Sequence, residues 1–177
     1  MKNIILLLAA AAAVLITVAG KLTAADHHDP HSGSVMNYHR IDDRLVTGGH
    51  FVDDGLSEIK SEGVTVVIDL RDNPPKGQEK KLAEQGIEWI NVPVEWDDPE
   101  AKDFKKFSNA MKAHQDDHVL VQCGANYRAS AMTYLYRVIV DNVDEEEASD
   151  DLYAVWTPSK ESEEWVEYIE EIKASAN

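Results

Sequence analysis

The stretch Val119-Leu120-Val121-Gln122-Cys123-Gly124-Ala125-Asn126-Tyr127-Arg128 runs from a short apolar strand through a tight loop into an apolar, helix-like segment. A strand, a loop and a helix start in that order aim several backbone N–H groups and the positive end of a helix dipole at one point. Such a point favours a bound oxyanion and a thiolate. Cys123 is the only cysteine of the 177 residues. Its two readings are a reactive nucleophile and a small buried hydrophobe at a strand end. Arg128 adds a planar, permanently charged fork suited to two oxygens of a phosphate, and with Gly124 and the following helix it favours the nucleophile.

Outward from that stretch, helices and strands alternate. Arg44 to Thr47 reads as a strand ending in Gly48-Gly49, and Asp53 to Glu62 as a helix stopped by Gly63. Val64 to Ile68 is a β-branched run of the kind buried on both faces. Asp69 to Gly77, with Pro74-Pro75, reads as a loop leaving that strand. Gln78 to Gln85 is a short helix closed by Gly86, Ile87 to Val92 a strand, and Pro93 to Glu100 a second loop. Ala101 to His114 is a helix with Phe104, Phe107 and Met111 on one face. After the strand Val119–Gln122, three helices are expected over Ala129–Val140, Glu145–Val155 and Ser162–Lys173. This order predicts an α/β domain with a mainly parallel central sheet, flanked by helices and followed by C-terminal helices after the Cys loop. Ligands of such sheets bind outside the carboxyl ends of the strands, so the loops after Ile68, Val92 and Gln122 are expected to gather there.

The N-terminus predicts where the protein works. Lys2 precedes an apolar run from Ile4 to Ala19, and Thr23-Ala24-Ala25 offers small residues for a signal peptidase. Residues 1–25 are thus expected to be a signal peptide, with an uncleaved anchor as the alternative, and the protein to be exported, to the periplasm. Residues 26–37 read as a flexible leader and 38–174 as the folded domain. His27, His28 and His31 in that leader offer either a metal site or, without a second ligand cluster at a fixed spacing, a solvated tail.

The 33 Asp and Glu outnumber the 17 Lys and Arg, for a net charge of −16. Loss of Lys2 and Lys21 with the signal peptide makes the mature chain more acidic still. Such a surface repels nucleic acid and anionic lipid heads, so neither nucleic acid nor, after signal cleavage, a membrane is an expected partner. A small or only locally anionic substrate suits this field better than a polyanion. No coiled-coil seam specifies an oligomer.

The succession Leu45-Val46-Thr47-Gly48-Gly49, Val66-Val67-Ile68-Asp69-Leu70-Arg71, Asn91-Val92-Pro93-Val94 and Val119 to Cys123 with Arg128 resembles the dual-specificity branch of the protein tyrosine phosphatases. It is similar in particular to the small bacterial phosphatase-like domains also found attached to β-lactamase-like hydrolases. The stretch Cys123 to Ala131 continuing into Tyr134-Leu135-Tyr136-Arg137-Val138, with Val155-Trp156-Thr157-Pro158 and Trp165 downstream, carries that likeness. The resemblance spans Tyr38 to Ile172 and implies the cysteine-phosphatase fold and phosphoric monoester hydrolysis. By that resemblance Cys123 attacks phosphorus to form a phosphocysteine, and Arg128 with the N–H groups of Gly124, Ala125, Asn126, Tyr127 and Arg128 holds the equatorial oxygens. A carboxylic acid on the loop after the third strand protonates the leaving oxygen. Asp97 is placed for it by spacing, with Glu95 and Asp98 as neighbours. The implied substrate is a small or protein-borne phosphoester, and the chemistry needs no metal or cofactor.

The chain departs from the wider family's pattern at three points. Cys123 and Arg128 enclose four residues where five are usual, a shortening shared by the bacterial group. Gln122 stands where a His is usual, and Ala129 replaces the hydroxyl residue after the Arg, with Ser130 one position later. A thiolate without that hydroxyl is a poorer leaving group in the second step. Two other readings follow from the short loop. One is a rhodanese-like sulfurtransferase carrying a persulfide on Cys123. The other is a module that binds a phosphorylated or sulfated group without turnover. Asp69 and Arg71 either pair with each other or orient a substrate, and Tyr127 is either a lid or a ring packed on a helix. Trp89, Trp156 and Trp165 read as packing residues, Trp96 as one that flanks the site, and His50 and His118 as structural.

Overall fold

The computed structural model describes residues 33–52 and 54–176. The expected signal peptide, Asp53 and the three leader histidines lie outside the described residues. Five strands and six helices follow one another as β1 (His39–Arg40), β2 (Leu45–Gly48), α1 (Gly55–Ser61), β3 (Val66–Arg71), α2 (Gln78–Glu84), β4 (Glu88–Val94), α3 (Ala101–Ala113), β5 (Val119–Gln122), α4 (Tyr127–Ile139), α5 (Glu145–Val155) and α6 (Glu163–Ser175), the last entered through a 3-10 turn at Lys160–Ser162. The sheet order is β1-β2-β5-β3-β4. Only the β1–β2 pair is antiparallel. β5 lies in the middle, parallel to β2 on one side and β3 on the other, with Leu120 beside both Val46 and Val67.

Period-2 alternation divides the core between the two faces of the sheet. Val46, Val67 and Leu120 point to one face, where Ile59 of α1 and Leu82 of α2 cover them. Val66, Ile68, Val119 and Val121 point to the other, against Phe107, Met132, Leu135, Leu152 and Trp165 from the four long helices. Phe107 and Trp165 are completely buried, a transfer worth roughly 1.5–3 kcal/mol for a side chain of Phe size. Helix ends follow local chemistry. Gly86, at φ +72°, supplies the left-handed turn after α2. Asp144 accepts hydrogen bonds from the N–H groups of Glu146 and Glu147 to start α5, and Glu100 and Asp103 cap α3 reciprocally.

Most boundaries agree with the sequence expectation to within one or two residues, and three differences bear on the site. β3 continues through Asp69 to Arg71, because the Asp69 carboxylate is buried with Arg71, Gln78 and Trp89 as donors and the strand need not surface. β4 runs through Pro93 to Val94; it is an edge strand, where a residue lacking N–H is tolerated. α4 starts at Tyr127 rather than Ala129, since Asn126 takes the left-handed conformation (φ +69°) and turns the chain directly into the helix. β1, two residues long, is too short to leave a periodic signal.

Candidate active site

Cys123 is 2% exposed and follows directly on β5. The loop after it is held from three sides by backbone. The Cys123 N–H donates to the Gly48 carbonyl at 3.1 Å, and the His50 N–H donates to the Gly124 carbonyl at 2.9 Å. Gly49 and Ala125 form an antiparallel bridge. A Cβ on Gly49 would stand 2.7 Å from the Gly124 oxygen and 2.9 Å from that of Met36, so the close approach of these two loops needs glycine there. Asn126, fully buried, donates from Nδ2 to the Asn37 carbonyl (2.6 Å) and to Thr47 Oγ1 (3.0 Å). Its side chain ties the start of α4 to β2.

Arg128 is the second residue of α4. Its Nη1 donates to Asp72 Oδ1 at 2.8 Å and to the Val94 carbonyl at 2.5 Å, so the ends of β3 and β4 fix the guanidinium. Nε and Nη2 have no hydrogen-bond partner among the described residues. They remain available as a fork for two oxygens of an anion. The hydrogen bond from Arg128 holds the Asp72 carboxyl below its ordinary range, outweighing the opposing effect of burial. A group kept ionised in this way is an anchor for the guanidinium and a poor proton donor.

A cavity of about 340 Å³ opens over this loop, lined by Trp96, Cys123, Gly124, Ala125, Tyr127 and Arg128. Of the predicted loop residues, Asn126 alone turns away from it, into the core. Glu95, Asp97 and Asp98 are exposed on the loop between β4 and α3. None of the three hydrogen-bonds to the Cys123–Arg128 loop among the described residues, and Trp96 is the member of that loop that lines the cavity. Trp96 is fixed by stacking on Trp165 at 5.4 Å and by the Trp165 indole N–H, which donates to its carbonyl at 2.9 Å. Tyr127 both lines the cavity and stacks on Trp156 at 4.9 Å.

Beneath the loop lies a buried polar network. Arg71 donates from Nε and Nη2 to the two oxygens of Asp69, at 2.9 and 2.6 Å. The expected alternative of mutual pairing is the one realised. Gln122 accepts at Oε1 from Gln78 Nε2 (2.7 Å) and Arg71 Nη2 (3.2 Å) and donates to the Gly49 carbonyl (3.0 Å). In place of a histidine, the residue before Cys123 thus braces the β2 and β5 loops against each other. The Ser130 hydroxyl sits 2.8 Å from the Asn126 carbonyl and 3.1 Å from that of Tyr127, and its single proton is spent on this helix turn.

The sequence reading missed Asp72 and the backbone clamp of Gly48, Gly49 and His50 on the Cys123 loop. The Gly48-Gly49 pair at a strand end was the available signal for the clamp, since paired glycines mark a close backbone approach. Asp72 had none, being one acid among many in an acidic chain.

Residues 24–168 match the family described as a DSP-PTPase phosphatase fused to NAD+ kinase. None of the curated proteins matches the chain. Among solved structures, a candidate phosphatase of the DUF442 type from Shewanella putrefaciens CN-32 is 26% identical, with a TM-score of 0.70 over 80% of this chain and 92% of that one. PTPMT1 is 22% identical, with a TM-score of 0.60 over 78% of this chain and 98% of its own. TpbA of P. aeruginosa is 14% identical, with a TM-score of 0.65 over 78% of this chain and 88% of its own. The last two speak for the fold alone. With the family match extending across most of its length and β5 delivering its one thiol into an arginine-closed loop, the chain belongs to the dual-specificity and tyrosine phosphatase-like family of cysteine phosphatases.

Proposed function

We propose that this phosphatase-family chain is an exported hydrolase of phosphoric monoesters that works through a phosphocysteine on Cys123. The observation that carries the reading is the Arg128 fork, anchored at Nη1 by Asp72 and Val94 with Nε and Nη2 uncommitted, beside a thiol in one cavity. In the first step the Cys123 thiolate forms the S–P bond as the bond from phosphorus to the leaving oxygen breaks, and Asp97 gives that oxygen its proton. Arg128 and the N–H groups of Gly124, Ala125, Asn126, Tyr127 and Arg128 hold the charge on the equatorial oxygens. In the second step water attacks phosphorus, the S–P bond breaks and Asp97 takes up a proton. Asp97, exposed beside Trp96, comes to the substrate by closure of its loop.

The second step is the slower one in this reading, because the Ser130 hydroxyl is engaged by the Asn126 and Tyr127 carbonyls and does not assist the departing thiolate. Structures of TpbA with phosphotyrosine and of PTPMT1 with PI(5)P exist among the similar folds. The aromatic wall of Trp96 and Tyr127 supports an aryl or otherwise flat leaving group here. Among the described residues no helix is long and apolar enough to cross a membrane, and export rests on residues 1–25.

The test is phosphate release from an aryl phosphate at pH 5 to 7 with a chelator and a reductant present. Turnover is expected in the parent chain and absent in Cys123→Ser, and Asp97→Asn is expected to lose roughly 10²-fold in kcat. A burst of aryl alcohol equal to the enzyme concentration is expected before steady state. No turnover from a chain whose thiol still alkylates rapidly would sink the reading and send the question to thiosulfate as sulfur donor. Unchanged turnover in Asp97→Asn would move the acid to Glu95 or Asp98.

A further inference from the structure

We propose that a second cavity, on the opposite face of the sheet from the Cys123 cavity, is a binding site for a small organic anion with an apolar body. It has a volume of about 600 Å³ and lies between α1, α2 and the end of β3. The two cavities share no lining residue. Its size is in the range that takes a metabolite-sized ligand.

The charge of the lining is opposite in sign to that of the chain. In a chain of 33 acidic and 17 basic residues, this cavity is walled by Lys76, Lys81, Arg71 and His50 and, among the described residues, by no carboxylate. Lys80 pairs with Glu84, whereas its neighbour Lys81, and Lys76 across the cavity, have no ion-pair partner among the described residues. Arg71 is 8% exposed, with Nε and Nη2 held by Asp69. Its Nη1 has no partner among the described residues. A nearly buried guanidinium with one uncommitted nitrogen, flanked by two unpaired ammonium groups, is the recognition chemistry of a phosphate or carboxylate. Phe51, Leu56, Pro75 and Leu82 complete the wall. They give the apolar part of the ligand somewhere to lie, which free inorganic phosphate could not use.

The site is wired to the Cys loop. His50 Nδ1 donates to the Gly124 carbonyl at 2.9 Å, which leaves its Nε2 without a partner among the described residues. Gln78, also in the wall, donates to Gln122, the residue before Cys123. An anion beside Arg71 and His50 therefore bears on both supports of the loop.

Titration of the 15N-labelled Cys123→Ser chain with phenyl phosphate, followed by NMR, tests this independently of turnover. Two saturable sets of shifts are expected, one over Gly124–Arg128 and one over Phe51, Leu56 and Lys81. The second should weaken at least tenfold in Lys76→Gln/Lys81→Gln, an exchange at two exposed positions, while the first persists. Inorganic phosphate should move the first set only. Shifts confined to the Cys loop, a second set indifferent to the lysine changes, or a second set equally well filled by inorganic phosphate would each overturn the proposal. Loss of the first set alone would instead count against the phosphatase reading.

Discussion

Asp72 holds the Arg128 guanidinium from the surface, at the end of β3. It is 48% exposed in its side chain and bonds Nη1 of Arg128, so removing its charge leaves the guanidinium anchored mainly by the Val94 carbonyl. Asp72→Asn is expected to lower kcat/KM for an aryl phosphate by about 3- to 10-fold, the scale of one partly solvated charged hydrogen bond. Its melting temperature should stay within a degree or two of the parent, and an unchanged kcat/KM would remove Asp72 from the site. Gly49 shows the steric counterpart. Gly49→Val drives a Cβ into two backbone oxygens that cannot turn aside, and a loss of roughly 1–3 kcal/mol in chemical denaturation is expected together with reduced turnover. Gly48→Ala, whose Cβ meets chiefly the Val35 side chain at 2.7 Å, should be milder because a side chain can turn aside.

At the scale of elements, the positions of most helices and strands could be read because pattern and environment agree. Val64 to Ile68 is β-branched throughout and its core portion is buried on both faces, while α3 presents Phe107 and Met111 to the core at helical spacing. The errors fall where tertiary partners decide. Asp69 reads as a loop residue until Arg71, Gln78 and Trp89 are seen to satisfy its carboxylate inside the sheet. Likewise Cys123, Gly124 and Arg128 were legible from loop chemistry, but the inward turn of Asn126 depends on Asn37 and Thr47, remote in sequence. α4 carries the consequence furthest, because nine consecutive residues from Ala129 to Arg137 are buried. Arg137 among them is neutralised by Asp151 at 2.5 Å and Glu147 at 3.1 Å.

On the scale of the whole molecule, charge and protonation set the working range. The net charge of −16 opposes approach of a phosphate dianion, so kcat/KM for an anionic aryl ester should rise as salt is raised from 10 to 150 mM, where the Debye length falls from about 30 to 8 Å. A flat or falling salt profile would show that the local field of Arg128 outweighs the global one. His118 sets one pH limit. Burial, helped by the Arg40 charge, pushes its pKa below the ordinary 6.5, and its Nε2 is buried without a partner among the described residues. The neutral ring is therefore favoured by folding, a contribution present above pH 6.5 and lost as pH falls through the lower folded value. Denaturation midpoints of His118→Gln should lose less than the parent's between pH 7 and 5, and parallel pH profiles would remove His118 as the cause. The Asp151 carboxyl behaves alike in a lower window: burial opposes its ionisation, but the His39 hydrogen bond and the Arg137 charge win and lower its pKa, so that contribution fades only below 3.8.

The contacts around Cys123 join residues that are far apart along the chain: Asp72 to Arg128 across 56 positions, His50 to Gly124 across 74, Thr47 to Asn126 across 79. No contiguous segment owns the Cys123 loop, and each of these closures is entropically costly until the sheet is assembled. The proposed phosphatase activity would thus be a readout of completed folding. Fragments reduced to the Val119–Ile139 segment should be inert, and activity should return on refolding only in step with the last-formed strand pairing.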